Sequence, residues 1–209
     1  MIVKENSLKV LVFDCDGVMF DTENANRIYY NSILEHFNKP FLTQQQFEYV
    51  HMSTVKQALF FLFQDREDMD DVFEYTRHMK YDPLIPHMEI EPFLKPLLHH
   101  VKKKLKTAIA TNRSTTMHAV LSYHGLTELF DMVVTSLDVE RPKPHPEQLH
   151  KIMDHFKAAP EDVLYIGDSK TDEEAAIQSG VLFVSYKNPS LEASHHIRDL
   201  REVLTILDL

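Results

Sequence analysis

Five apolar runs of four residues recur along the chain, Val10–Phe13, 107–110, 132–135, 163–166 and 181–184. Each is too short for a core helix, is rich in Val, Ile, Leu and Phe, and is bounded by Gly, Asp, Ser or Asn. They are therefore expected to be buried strands. Residues 92–104 carry Phe93, Leu94, Leu97, Leu98 and Val101 at helical spacing, and residues 114–124 begin with capping residues and stop before Gly125. Residues 146–156 and 171–179 repeat the pattern. Strands alternating with helices imply right-handed crossovers and a parallel sheet covered on both faces.

The stretch between the first and second runs departs from this rhythm. Residues 22–84 contain no glycine and 12 of the 21 aromatic side chains. Ala25, Ile28, Tyr29, Ser32, Ile33 and Phe37 form one helical stripe, and Val55, Ala58, Leu59, Leu62 and Phe63 form another. Aromatic residues at that spacing are read as packing rather than as a ligand box. Three prolines in residues 81–92 mark the return. The expected fold class is α/β, a Rossmann-like parallel sheet core with an inserted small helical cap domain. Residues 1–19 and 87–209 form the discontinuous core, and residues 20–86 the cap.

Composition narrows the function classes. With 22 basic and 32 acidic residues the formal charge is −10, the wrong sign for gripping a phosphate backbone, so no nucleic-acid partner is expected. The segment MIVKENSLKV has no secretory apolar core, and no run of about 18 apolar residues offers a membrane span, so a cytoplasmic protein with no membrane partner is expected. The single cysteine, Cys15, excludes an internal disulfide and is read as a packing residue. The 13 histidines show no metal-ligand spacing and are taken as solvated. The oligomeric state is not legible.

The strand ends carry the chemistry. The first run leads into Asp14-Cys15-Asp16-Gly17, and alternation in an extended chain puts Asp14 and Asp16 on one side. A polar turn accounts for the same residues equally well. The run 163–166 leads into Gly167-Asp168-Ser169-Lys170-Thr171-Asp172, in which Ser169 and the acidic residues also suit a helix start. Parallel sheets place ligands outside the carboxyl ends of their strands, and aspartates gathered there suit a hard cation such as Mg2+. Thr111 and Asn112 follow the second run, where a phosphate site and a helix cap fit alike. In Arg141-Pro142-Lys143-Pro144 the prolines stiffen the backbone around one lysine, which a solvent-facing lysine does not need.

In order and spacing, the motifs DCDGV, TN, RPKP and GDSKTD resemble those of the haloacid dehalogenase superfamily, and more closely its phosphatase branch around phosphoglycolate phosphatase and β-phosphoglucomutase. The resemblance covers essentially the whole chain. It implies a phosphatase acting on a small phosphorylated metabolite through an aspartyl-phosphate, with Asp14 as nucleophile and Asp16 as general acid and base. It further implies Mg2+ held by Asp14, by Asp16 through its backbone carbonyl, and by Asp168, with Asp172 supporting that shell. Thr111, Asn112 and Lys143 are implied as phosphate-binding, and the cap as a lid over the leaving group.

Departures from the family pattern discriminate within it. Asp16 disfavours dehalogenases and phosphonate hydrolases, and Lys56, near the Schiff-base lysine of the latter, is read as surface or substrate-facing. Where β-phosphoglucomutases carry a His and a cap-loop Arg, this chain has Asn26 and Thr54. A phosphosugar mutase is therefore the alternative within the fold, and a non-catalytic phosphometabolite-binding protein the alternative outside enzymes. The cap loop Val50-His51-Met52-Ser53 lacks the family's glycine, which leaves the substrate open.

Overall fold

Val10, Leu11, Val12 and Phe13 are all fully buried, as four consecutive apolar side chains require of a strand covered on both faces. The computed structural model describes residues 8–51 and 53–209. The first seven residues of the segment considered for secretion, and Met52 of the loop 50–53, lie outside the described residues. The strands are β1 (Val10–Phe13), β2 (Phe20–Asp21), β3 (Glu89–Ile90), β4 (Lys106–Ala110), β5 (Met132–Val134), β6 (Val163–Gly167), β7 (Leu182–Tyr186) and β8 (His195–Ile197). Six of them form a sheet in the order β5-β4-β1-β6-β7-β8, parallel throughout.

The five expected strands are present, the first with the expected ends and the other four with ends shifted by one or two residues. Thr135 leaves β5 because its backbone N–H and hydroxyl both donate to Asp138 Oδ2, closing a turn. Two elements carried no readable signal: β8, with one buried apolar residue, and the antiparallel pair β2 and β3, of two residues each.

The helices of this unit are α5 (Leu94–Val101), α6 (Met117–Tyr123), α7 (Glu147–Phe156), α8 (Lys170–Ser179) and α9 (Glu202–Ile206). The expected helix 114–124 begins three residues late, and its N-cap Thr116 makes no capping bond. The Thr116 hydroxyl instead accepts from Arg113 Nη1 at 3.1 Å. On one sheet face Val10, Val12, Ala108, Ala110 and Tyr165 pack against Leu149 and Ile152 of α7 and Ala175 and Ala176 of α8. Elsewhere in the core, Phe13 meets Phe130 edge-on at 6.0 Å.

The chain divides into two compact units, one running up to Asp21 and again through Glu89–Leu209, the other Thr22–Met88. The division falls two residues beyond each expected boundary, because β2 pairs with β3 and both belong to the sheet unit. The Thr22–Met88 unit contains α1 (Glu23–His36), α2 (Gln44–His51), α3 (Val55–Leu62) and α4 (Asp70–His78). Tyr30, Ile33, Leu34, Phe47, Leu59, Phe63 and Val72 are among the residues of its own core. Ile28 and Tyr29 of the expected stripe are only half-buried, and Val55, in the first turn of α3, is exposed. Helices α2 and α4 escaped the sequence reading because each buries at most two side chains. Among the described residues no helix is long and apolar enough to cross a membrane.

The strand order reverses at β1. From β1 the chain builds outward through β4 and β5, then returns to the other side of β1 for β6, β7 and β8. In a sheet of this kind the ligand crevice lies outside the carboxyl ends of the strands at the reversal.

Candidate active site

Four chain segments reach that edge: Asp14 follows β1, Thr111 follows β4, Lys143 lies between β5 and α7, and Asp168 follows β6. Lys143 is buried, and its ammonium has three acceptors for its three protons. Nζ donates to Asp14 Oδ1 at 2.8 Å, to Asp172 Oδ1 at 2.6 Å and to the Tyr165 hydroxyl at 2.9 Å. Tyr165 in turn donates to Asp172 Oδ1 at 2.6 Å. The backbone on either side is also tied down: Asn112 Nδ2 donates to the Lys143 carbonyl at 2.9 Å, and Gln148 Nε2 to the Thr111 carbonyl at 2.7 Å.

Asp172 serves a helix cap and the site together. Ser169 and Asp172 form the capping box of α8. Asp172 Oδ2 accepts from the backbone N–H of Ser169 at 3.0 Å and of Asp168 at 3.2 Å, and from the Ser169 hydroxyl at 2.5 Å. Its other oxygen is left for Lys143 and Tyr165. The two carboxylate oxygens divide the work, Oδ2 closing the helix cap and Oδ1 facing Lys143 and Tyr165. Two glycines make room for the cluster, since a Cβ on Gly167 would overlap Asp172 and one on Gly17 would overlap the Asp168 carboxylate.

Crowding four charges into a buried edge perturbs them. Burial pushes Asp14 up to about 7, with the Asp172 charge adding to the rise and Lys143 opposing it. Asp168 rises to about 8, through burial first and then repulsion from Asp14 and Asp172. Burial also acts to raise Asp172, but the Lys143 charge and the hydrogen bonds from Lys143, Ser169 and Tyr165 outweigh it and hold the carboxyl below its ordinary value. Burial alone would depress Lys143, and the charges of Asp14 and Asp172 reverse that.

Asp14, Asp168 and Asp172 each present an oxygen, all within 4.8 Å of one another, close enough to share one cation. Both Asp172 oxygens are already engaged, so Asp14 and Asp168, the two carboxyls pushed upward, are the side chains suited to ligate. A divalent cation held there would offset the excess of buried carboxylates over the one lysine. Asn188, in the loop after β7, braces Asp168 by donating Nδ2 to its backbone carbonyl at 2.8 Å.

Asp16 stands slightly apart. Arg113 forks onto its carboxylate, with Nη2 2.5 Å from Oδ1 and Nε 3.2 Å from Oδ2. The Thr111 hydroxyl accepts from the Arg113 backbone N–H at 3.1 Å, and the Asn112 side chain is committed to the Lys143 carbonyl. Cys15 is fully buried, and burial first, then the Asp16 charge, pushes its thiol well upward, the opposite of an activated nucleophile. Lys56 lies exposed on α3. Sequence reasoning missed Arg113, Tyr165, Gln148 and Asn188. Of these, only Arg113 had a local signal, its place directly after Thr111-Asn112.

A parallel sheet with a buried lysine and a cation-sized carboxylate cluster at its reversal point makes a site for an anionic ligand at the carboxyl ends of the strands. A family model for haloacid dehalogenase-like hydrolases matches residues 11–186. The chain belongs to that family. The pyrophosphatase PpaX of Bacillus cereus (strain G9842) is 30% identical over 171 residues, covering 79% of this chain and 76% of that protein. A haloacid dehalogenase-superfamily hydrolase, subfamily IA, from Geobacter sulfurreducens PCA is 34% identical, with a TM-score of 0.88 over 96% of this chain and 97% of its own. The hydrolase YfnB of Bacillus subtilis, solved bound to magnesium, shares the fold at 20% identity, with a TM-score of 0.80 over 98% of this chain and 100% of its own.

Proposed function

We propose that this chain is a Mg2+-dependent phosphatase that hydrolyses a small phosphorylated metabolite through an aspartyl-phosphate on Asp14. The observation that carries the reading is the Asp14 carboxylate, buried at the end of β1, 2.8 Å from the Lys143 ammonium and in one cluster with Asp168. Phosphoryl transfer asks chiefly for positioning and charge neutralisation, and a rigid lysine beside a carboxylate nucleophile supplies both. Mg2+ held by Asp14, Asp168 and the Asp16 backbone carbonyl would neutralise charge on the nucleophile and on the incoming phosphoryl oxygens.

In the first step an Asp14 oxygen forms a bond to phosphorus, the bond to the leaving oxygen breaks, and that oxygen takes a proton from Asp16. In the second, water attacks the aspartyl-phosphate, Asp16 takes its proton, the acyl phosphate bond breaks, and orthophosphate leaves with Asp14 restored. Lys143 and the Thr111 hydroxyl bind the transferring phosphoryl, while Asn112 holds the Lys143 backbone in place. The mutase alternative finds no support in Thr54, whose hydroxyl closes the capping box of α3.

The test is phosphate release with Mg2+ from pyrophosphate, phosphoglycolate, sugar phosphates and nucleoside monophosphates. The curated relatives make pyrophosphate the first substrate to try. Asp14→Asn is expected to lower kcat by a factor on the order of 10^4 or more, as loss of a nucleophile does. Retention of wild-type turnover by Asp14→Asn would falsify the mechanism.

A further inference from the structure

Arg113 lies in the segment that follows β4, two residues after Thr111, and its side chain is only 8% exposed. Its guanidinium is a planar fork shaped for two oxygens of a carboxylate or a phosphoryl group, and here both teeth close on Asp16. Thr116 takes a further N–H, and the Arg113 backbone N–H is bonded to the Thr111 hydroxyl, so the fork is aimed by its own loop. Asp16 is the partner with freedom to move, because its side chain is 40% exposed. As long as both its oxygens accept from Arg113, neither faces a leaving oxygen with a proton to give.

We infer that Arg113 is the receptor for an anionic group on the leaving part of the substrate, and that Asp16 occupies this receptor until the substrate arrives. A second phosphoryl, as in pyrophosphate, or a carboxylate, as in phosphoglycolate, offers the fork the same pair of oxygens that Asp16 offers. When that anion takes the fork, Asp16 is released as a carboxylate, takes up a proton from water on its exposed side, and stands beside the leaving oxygen to which it gives that proton. A leaving group without an anion cannot make the exchange and leaves Asp16 latched. Arg113 thereby acts on specificity through the leaving group, whereas Lys143, committed to Asp14 and Asp172, meets the transferring phosphoryl. This inference rests on the phosphatase reading of the site.

The experiment compares kcat/KM for pyrophosphate, phosphoglycolate and ethyl phosphate in the wild type, Arg113→Gln and Arg113→Lys, with melting curves to establish folding. The expected result is a wild-type preference for the two anionic leaving groups over ethyl phosphate. In Arg113→Gln that ratio should fall by about 10- to 100-fold, the worth of a charge-assisted fork. Arg113→Lys, which keeps the charge without the fork, should fall between them and guards against a glutamine variant that does not fold. Whichever anionic substrate loses more identifies the group received, phosphoryl or carboxylate. Equal losses on all three substrates would overturn the inference while leaving the phosphatase reading intact, since Arg113 would then only align Asp16. No phosphate release by the wild type from any substrate overturns both.

Discussion

Lys143 and Asp172 face each other across 2.6 Å with side-chain exposures of 2% and 0%. The pair links the loop after β5 to the first turn of α8, and through the same ammonium it reaches Asp14. Breaking a buried pair leaves a charge with no partner, which typically costs about 3–5 kcal/mol. Lys143→Met is expected to lower stability by about that amount in denaturant unfolding of the metal-free protein. A loss below about 1 kcal/mol would place the pair with solvent-screened surface bridges instead.

Tyr165 contributes to this cluster from inside the sheet. Tyr165→Phe keeps the ring but removes both the donor to Asp172 and the acceptor for Lys143. The expected cost is about 1–3 kcal/mol, with kcat lowered because Lys143 loses one of its three anchors. Unchanged stability together with unchanged kcat would show that the hydroxyl is dispensable.

Gly17 is where the site needs an absent side chain. Its φ of +78° and the Asp168 carboxylate beside it both disfavour a Cβ. Gly17→Ala should raise the Mg2+ concentration for half-maximal activity by about 10- to 100-fold, in line with the effect of disturbing a ligand's support. Gly125→Ala is the control. Its φ of +64° brings strain, but the nearest atom, Lys95 Nζ, is 3.9 Å from the added Cβ, so stability alone should suffer. An equal Mg2+ effect from both changes would point to backbone strain rather than to Asp168.

Stability without metal should depend on pH in an unusual direction. Asp14 near 7 and Asp168 near 8 lie above the unfolded carboxylate range near 4. Between about pH 4 and 8 the folded chain therefore holds more protons than the unfolded chain, and stability falls as pH rises through that window. Asp172 has the opposite sign. Its lowered value gives stability that is present above the unfolded value and lost only as pH falls below it, so it adds no slope here. In EDTA the Tm is expected to drop from about pH 6 to about pH 8, and Mg2+ should raise it more at the upper end. A Tm that climbs across this window in EDTA would contradict the burial assigned to Asp14 and Asp168.

Much of the sheet was legible because its signal is local. Four apolar residues in a row identify β1 and β6, and three after Thr107 identify β4, each ended by turn formers and without reference to anything distant. The α8 start was legible for the same reason, since Ser169 and Asp172 form a box within a single turn. β8 was not, because its place depends on β7 being there to pair with rather than on its own His195-His196-Ile197. Tyr165 reads in sequence as one more strand residue. Only the return of Lys143 to the sheet edge gives its hydroxyl a task.

The chain by itself determined an α/β class, a glycine-free helical insert and a set of aspartates, a threonine and a lysine placed after strands, because periodicity, capping and turn chemistry act over a few residues. The tertiary structure alone decided which charge meets which. Lys143 and Asp14 are 129 residues apart, and Arg113 and Asp16 are 97 apart. Their meeting depends on β1 lying between β4 and β6, an order set by how buried strands pack and cross over rather than by any local pattern.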